Sequence, residues 1–190
     1  SEFAPDENVQ LCIKISAPMS EATEFIDAMS NHVKQSMRLY ENNEAYKKEL
    51  VAGDYCSEAE LIKFHLSCDV FVNCSKGESF SLPTFCAFLL NNRCVLSNHT
   101  SFKDYFNNNM GAFMVDEVML TNTLGAMSPP GLHTAREQWY STSPKALGRR
   151  MRDAYTDWSK NRNGSPNKLG SVLRACNFSN VGKIKKKIIE

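Results

Sequence analysis

What this chain of 190 residues lacks narrows its function first. No apolar run approaches the roughly 18–20 residues that a membrane-crossing helix requires. No leader-like segment is visible, so the expected location is cytosolic. Charge of one sign is also missing: 22 Lys+Arg face 21 Asp+Glu, and a net charge of +1 supplies no global field for nucleic acid. The four histidines (32, 65, 99 and 133) are scattered, with no HxxxH, HExxH or Cys/His cluster of zinc-binding spacing. No Asp-x-Asp pair offers a magnesium–phosphate clamp, so no metal is expected. The Gly-x-Ser-x-Gly elbow of serine hydrolases is absent. Cysteine is present, but seven residues (12, 56, 68, 74, 86, 94 and 176) form an odd set with irregular spacing and no CxxC. That pattern reads as reduced, buried thiols rather than a disulfide framework.

What is present is ordinary soluble-domain composition, 42% apolar and 23% charged, in a chain long enough to bury one core. Residues 1–3, Ser-Glu-Phe, carry no initiator methionine, and Glu-Phe is what a common cloning site encodes. They read as a vector scar, and residues 4–190 as one truncated domain cut from something longer.

Five stretches have strand character: 8–16, 49–53, 68–74, 93–97 and 111–115. The third, "CDVFVNC", is almost continuously apolar, the pattern of a parallel strand covered on both faces. Helical periods lie between them. From Ser20, a plausible N-cap, Phe25, Ile26, Met29, Val33, Met37 and Tyr40 recur at three- and four-residue steps. Ser57-Glu-Ala-Glu60 is a capping box opening a helix over about 58–67, with Leu61, Ile62 and Leu66 inward. A helix starts near Leu82 and a short one near 101–106. Residues 116–141 read as an irregular excursion. Ser143-Pro144 is an N-cap followed by an N1 proline, ahead of the stripe Leu147, Met151, Ala154, Tyr155 and Trp158. Leu169, Val172, Leu173 and Cys176 suggest another short helix, and residues 177–190 a closing C-terminal one. Strands alternating with helices predict an α/β fold with a Rossmann-like, doubly wound, mostly parallel sheet. Ligands in such folds sit outside the carboxyl ends of the strands, here the turns at 53–56, 74–82, 97–101 and from 116 onward.

The turn "SKGESFSLPT" (75–84) carries the chemistry. Pro83 has the fixed φ of a helical first turn, and the unpaired amides near 81–84 form the positive end of a helix dipole. A phosphate is the natural guest there. Glu78 stands just before this end, within reach of a neutral polyol beside the phosphate; the plain alternative is a solvent-exposed turn residue. Ser79 and Ser81 are small enough for close backbone approach. Cys86 reads as a core thiol, or alternatively as a nucleophile with His99 as its base.

The stretch "CDVFVNCSKGESFSLPTFCAFLLNNRCVLSN" resembles the donor-binding signature of retaining GT-B glycosyltransferases: apolar strand, Glu-Gly-Phe-Gly-Leu-Pro turn, a second glutamate eight residues on, and a buried strand. "LVAGDYCSEAELIKFHLSCDVFV", "STSPKALGRRMRDAYTDW" and "FSNVGKIKKKIIE" are similar to flanking parts, so the likeness runs from about residue 9 to the end. It implies the C-terminal, nucleotide-sugar-binding half of an enzyme. That enzyme would move a hexose from a nucleoside-diphosphate sugar to a glycan or other acceptor with retention. By the same resemblance Glu78 contacts sugar hydroxyls, the amides of Ser79, Phe80, Ser81 and Leu82 contact sugar and phosphate, and Leu82 and Thr84 face the pyrophosphate. Cys86 stands where the family places a ribose-binding glutamate, and a thiol cannot replace a bidentate carboxylate. Asp54 and Tyr55 would line the base pocket, and His99 would lie near sugar or phosphate. The family's first strand, its Arg/Lys pair and the acceptor-binding domain have no counterpart in the sequence. The gap predicts no turnover by this chain alone and an open sheet edge favouring self-association. The partners expected are thus the sugar nucleotide, a glycan acceptor and a second copy. A degenerate, non-catalytic binding or scaffold module, or an unrelated nucleotide-binding domain, stays open beside this. Lys183, Lys185, Lys186 and Lys187 read as a solvated helix face, with acidic lipid headgroups, and a peripheral membrane location, as the alternative.

Overall fold

The structure is a computed structural model that describes residues 2–4, 6–36, 47–123, 136–162 and 164. Cys176, His133, the 169–176 and 177–190 helices and the lysines at 183–187 lie outside the described residues. The fold is mixed α/β: parallel sheets with interspersed helices, a generic Rossmann-like arrangement. The described strands pair as three separate sheets rather than one, and the chain divides into two compact units between Leu61 and Ile62.

In the first unit β1 (Cys12–Lys14) runs parallel to β2 (Leu50–Ala52), in register Cys12↔Leu50. Helix α1 (Met19–Ser36) joins them. It starts one residue before the expected cap, and its capping acceptor comes from elsewhere: Asp54 Oδ1 accepts the Met19 N–H at 3.0 Å. Gly53 makes that close approach possible, since a Cβ there would stand 2.6 Å from Met19 Cα. Lys14 Nζ completes the corner, donating to the carbonyls of Asp54 (2.6 Å) and Ile15 (2.9 Å). The α1 stripe is only partly inward. Ala22 and Ile26 are buried, whereas Phe25, Met29 and Val33 are exposed. Three-residue strands extend about 10 Å and an 18-residue helix about 27 Å, so α1 outruns the sheet that would cover its face. Met37 and Tyr40 lie outside the described residues.

Helix α2 (Glu58–Leu66) opens on the expected capping box. Glu60 Oε2 accepts from the Ser57 amide (2.8 Å) and hydroxyl (2.7 Å), and these bonds hold the Glu60 carboxyl below its ordinary pKa. Its apolar residues are not inward as expected: Leu61, Ile62 and Leu66 are all exposed, and α2 has no buried residue. A crossover helix is covered by the sheet its strands share, and β2 and β3 belong to different sheets.

The second unit holds the principal core. Strands β3 (Val70–Asn73), β4 (Arg93–Ser97) and β5 (Ala112–Val115) lie parallel in that order, and every β4 residue is buried. Strand alternation sends β4 side chains to opposite faces. Cys94 and Leu96 pack with Phe88 of α3 (Leu82–Leu89) and with Phe102 of α4 (Thr100–Tyr105), backed by Phe106. Burial raises the Cys94 thiol pKa far above its ordinary value. Val95 and Val115 pack on the other face against Ala146 and Ala154 of α5 (Pro144–Lys160). Helix α5 begins as expected, with Ser143 Oγ accepting the Ala146 N–H at 3.3 Å. Its far end is tied to β4: Arg93, 4% exposed, donates from Nε to Asp157 Oδ2 (2.7 Å) and from a terminal nitrogen to the Asn161 carbonyl (2.8 Å).

Residues 116–141 are not irregular throughout. β6 (Val118–Asn122) and β7 (Gln138–Thr142) form an antiparallel pair in register Val118↔Thr142. The long connection between them hides the hairpin in the sequence, because no two-residue turn signal joins the strands. Among the described residues no helix is long and apolar enough to cross a membrane.

Candidate functional site

The turn between β3 and α3 is built as a stapled loop. Asn73 closes β3, and its Oδ1 accepts the Ser75 N–H at 3.0 Å. Its Nδ2 donates to Ser81 Oγ and Thr84 Oγ1, both at 3.1 Å, and those two hydroxyls lie 2.8 Å apart. One side chain thus fixes where the strand ends and where the helix begins. Ser81 is held at φ 60°, ψ 68°, a left-handed conformation that favours glycine. This position corresponds to a glycine in the resembled signature. The cost of a non-glycine residue there, about 1 kcal/mol, is offset by the two side-chain bonds.

Helix α3 starts at Leu82, as the proline implied, and its first bond runs from Phe85 N to Ser81 O. Pro83 has no N–H, so the free amides of the first turn are those of Leu82 and Thr84. Leu82 is 67% exposed, whereas Thr84 is fully buried, backbone included. Phe80 turns into the protein, stacking on Phe85 (5.1 Å between centroids) and meeting Tyr105 edge-on (5.3 Å). Ser79 is exposed.

Glu78 is half-buried and held from both sides. Its Oε1 accepts from Ser75 Oγ at 3.1 Å, its N–H donates to Thr100 Oγ1 at 3.2 Å, and its carbonyl accepts from Ser101 N at 3.4 Å. The start of α4 therefore packs on the Glu78 turn. His99, which precedes it, is 1% exposed, with Nδ1 3.1 Å from Thr100 Oγ1 and its ring stacked on Tyr140. Burial lowers its pKa, and the nearby Ser75 carbonyl acts in the opposite direction. Strand β7 straps the turn: Tyr140 N donates to the Lys76 carbonyl (3.0 Å), and Lys76 Nζ lies 4.0 Å from the Trp139 ring centroid.

The structure thus brings together Glu78, Ser79, Phe80, Ser81, Leu82, Thr84 and His99. Cys86 is not a core thiol: it is exposed on α3. One turn beyond the helix start, it falls on the face that the sheet does not cover, whereas Ala87 and Phe88 take the inward face. No described hydrogen bond joins it to His99, whose Nδ1 is committed to Thr100. Asp54 and Tyr55 belong to the first unit. There Asp54 serves as the cap for α1, and Tyr55 is 80% exposed. A polar cleft in that unit is lined by Asp27, Ser30, Asn31, Lys34, Lys48 and Glu49, and includes neither. Sequence reasoning missed Asn73, Ser75, Thr100 and Tyr140. For Asn73 a signal existed, since it is the one amide side chain in an otherwise apolar strand.

Among the described residues no group of three or more His, Cys, Asp or Glu is arranged to hold a metal ion. No protein-family model matches the chain, and no curated protein matches it in sequence.

Proposed function

We propose that this chain is the nucleotide-sugar-binding module of a retaining GT-B glycosyltransferase. The observation that carries the reading is the β3–α3 turn. A left-handed residue at the signature's glycine position leads into a helix that starts at the exposed Leu82, with Glu78 fixed immediately upstream. In this reading the Leu82 amide and the helix dipole hold the diphosphate, and the Glu78 carboxylate accepts sugar hydroxyls. The module would work beside an acceptor-binding domain.

Calorimetric titration of the chain with several nucleoside-diphosphate sugars tests this. Glu78→Gln is expected to weaken the sugar nucleotide about tenfold, the scale of a hydrogen bond to a charged group, while leaving the bare nucleoside diphosphate unchanged. Equal weakening of both, or transfer activity by the chain alone, contradicts the assignment. A second reading, a degenerate module kept for binding or assembly, is favoured by Cys86, an exposed thiol where the signature has a carboxylate. Failure of every sugar nucleotide to bind selects it.

A further inference from the structure

The start of α4 braces the Glu78 turn through the Thr100 hydroxyl and the Ser101 amide. Thr100 Oγ1 accepts the Glu78 N–H and also meets His99 Nδ1. Thr100 sits at φ 43°, a backbone conformation costly for a β-branched residue, so these contacts hold it against strain. The imidazole is shut in. Its ring lies 4.6 Å from that of Tyr140, with planes 5° apart, and Phe102 tilts against it at 5.9 Å. Its Nε2 makes no hydrogen bond of good geometry, although the Ser75 carbonyl lies beside the ring.

We propose that His99 is a positioning residue that makes the Glu78 turn sensitive to pH: the neutral ring accepts the Thr100 hydroxyl proton at Nδ1, and protonation there reverses that bond, so that the Thr100 oxygen must accept from the ring and from the Glu78 amide together and the brace weakens. The proton balance is simple. In the neutral state the ring proton is on Nε2, the Thr100 O–H points at Nδ1, and the Thr100 oxygen lone pairs take the Glu78 amide. A proton from solvent at Nδ1 turns that nitrogen into a donor. The Thr100 hydroxyl proton then loses its acceptor, and its oxygen faces two donors at once. The new charge lies face to face with Tyr140. The groups around it decide the direction. The turn contributes the Ser75 carbonyl, the Lys76 ammonium, which is drawn over Trp139, and the Glu78 carboxylate, which is bonded to Ser75. α4 contributes Thr100 and Phe102, both uncharged, and β7 the Tyr140 phenol. No carboxylate is hydrogen-bonded to the ring among the described residues, so burial dominates and the brace is intact at neutral pH.

The test is a pH titration of the chain by NMR between pH 7.5 and 5, following the His99 ring and the Glu78 amide together. Both are expected to move with one midpoint, below the ordinary histidine value. Exchange of the Glu78 amide proton should quicken about threefold as the ring protonates, part of the worth of one neutral hydrogen bond. His99→Asn supplies an amide oxygen near the position of Nδ1 and cannot titrate. It is expected to keep the Glu78 amide protected and to abolish its inflection, while Thr100→Ser keeps the inflection. A Glu78 amide that does not follow the His99 ring, or an unchanged inflection in His99→Asn, overturns the proposal. If His99→Asn does not fold, agreement or disagreement of the two wild-type midpoints decides alone. The ligand consequence rests on the sugar-nucleotide reading. A uridine or guanosine diphosphate sugar, whose diphosphate has no proton to gain between pH 7.5 and 5, should bind about threefold more weakly at pH 5 than at pH 7.5 in the wild type, and equally at both in His99→Asn. Absence of nucleotide binding refutes the glycosyltransferase reading alone, because the amide titration needs no ligand.

Discussion

Replacing Asn73 by alanine removes three hydrogen bonds where β3 meets α3. The size of the loss follows from what each partner has left. Ser81 and Thr84 are 6% and 0% exposed, so water cannot replace Nδ2 at either hydroxyl, but the two still bond each other. The Ser75 amide, in a half-buried loop, loses its acceptor. At about 1 kcal/mol for each neutral bond, with a modest further cost for buried groups left short of a partner, the total is about 3 kcal/mol. Against a typical domain stability of about 5–15 kcal/mol this is a large fraction, and it corresponds to a fall in Tm of about 6–12 °C. Urea denaturation followed by tryptophan fluorescence is well suited, because both tryptophans, Trp139 and Trp158, are in the second unit. Asn73→Asp is the control. A carboxylate still accepts the Ser75 N–H, and both hydroxyls can turn their protons toward it, so the expected cost is about 1 kcal/mol. A loss below about 0.5 kcal/mol for alanine, or equal losses for alanine and aspartate, would refute the staple.

Other substitutions probe other joints. Gly53→Ala places a methyl group against the Met19 backbone and is expected to cost about 1–3 kcal/mol; circular dichroism should show helix content lost at lower denaturant, and a neutral result removes the close approach. Asp157→Asn leaves the buried Arg93 guanidinium without its carboxylate and should cost about 2 kcal/mol at pH 7. Burial raises the Asp157 pKa, but the bonds from Arg93 and Asn161 outweigh it and hold the carboxyl below its ordinary value. That stabilisation is therefore complete above about pH 4 and lost as pH falls through the folded value, so wild type and variant should converge in acid; a gap independent of pH contradicts the pairing. Burial lowers the pKa of both His65 and His99. Their unfolded forms bind protons first as pH drops below about 6.5, so the urea midpoint should fall between that pH and the folded values, and a rising midpoint would reverse the sign.

Much of the fold was legible because local rules and tertiary context agreed. The five predicted strands appear, that at 93–97 with its expected bounds and the other four shortened. The Ser57–Glu60 box and the Ser143-Pro144 start needed only neighbours in sequence, and both hold. Legibility failed where burial depends on what lies opposite. The periodicities of α1 and α2 are real, yet Phe25, Met29, Leu61 and Leu66 are exposed, because periodicity fixes a face and not its cover. The β6–β7 pair was hidden because its partners are brought together across a long connection. In the site, Pro83 and Glu78 could be placed from spacing alone. The roles of Asn73, Thr100 and Tyr140 arise from elements that meet only in three dimensions.

The backbone at Ser81 sets a narrow alphabet for that position. An unstrained occupant must tolerate positive φ, which admits Gly, Asn and Asp and rejects every β-branched side chain. It must also answer Asn73 and Thr84 with a short polar group, which glycine lacks. In a saturation library of this chain, survivors at position 81 should be Ser, Asn and Asp, with Gly folded but weakened. Leu82, directly beside it and open to solvent, should accept nearly any residue that can begin a helix.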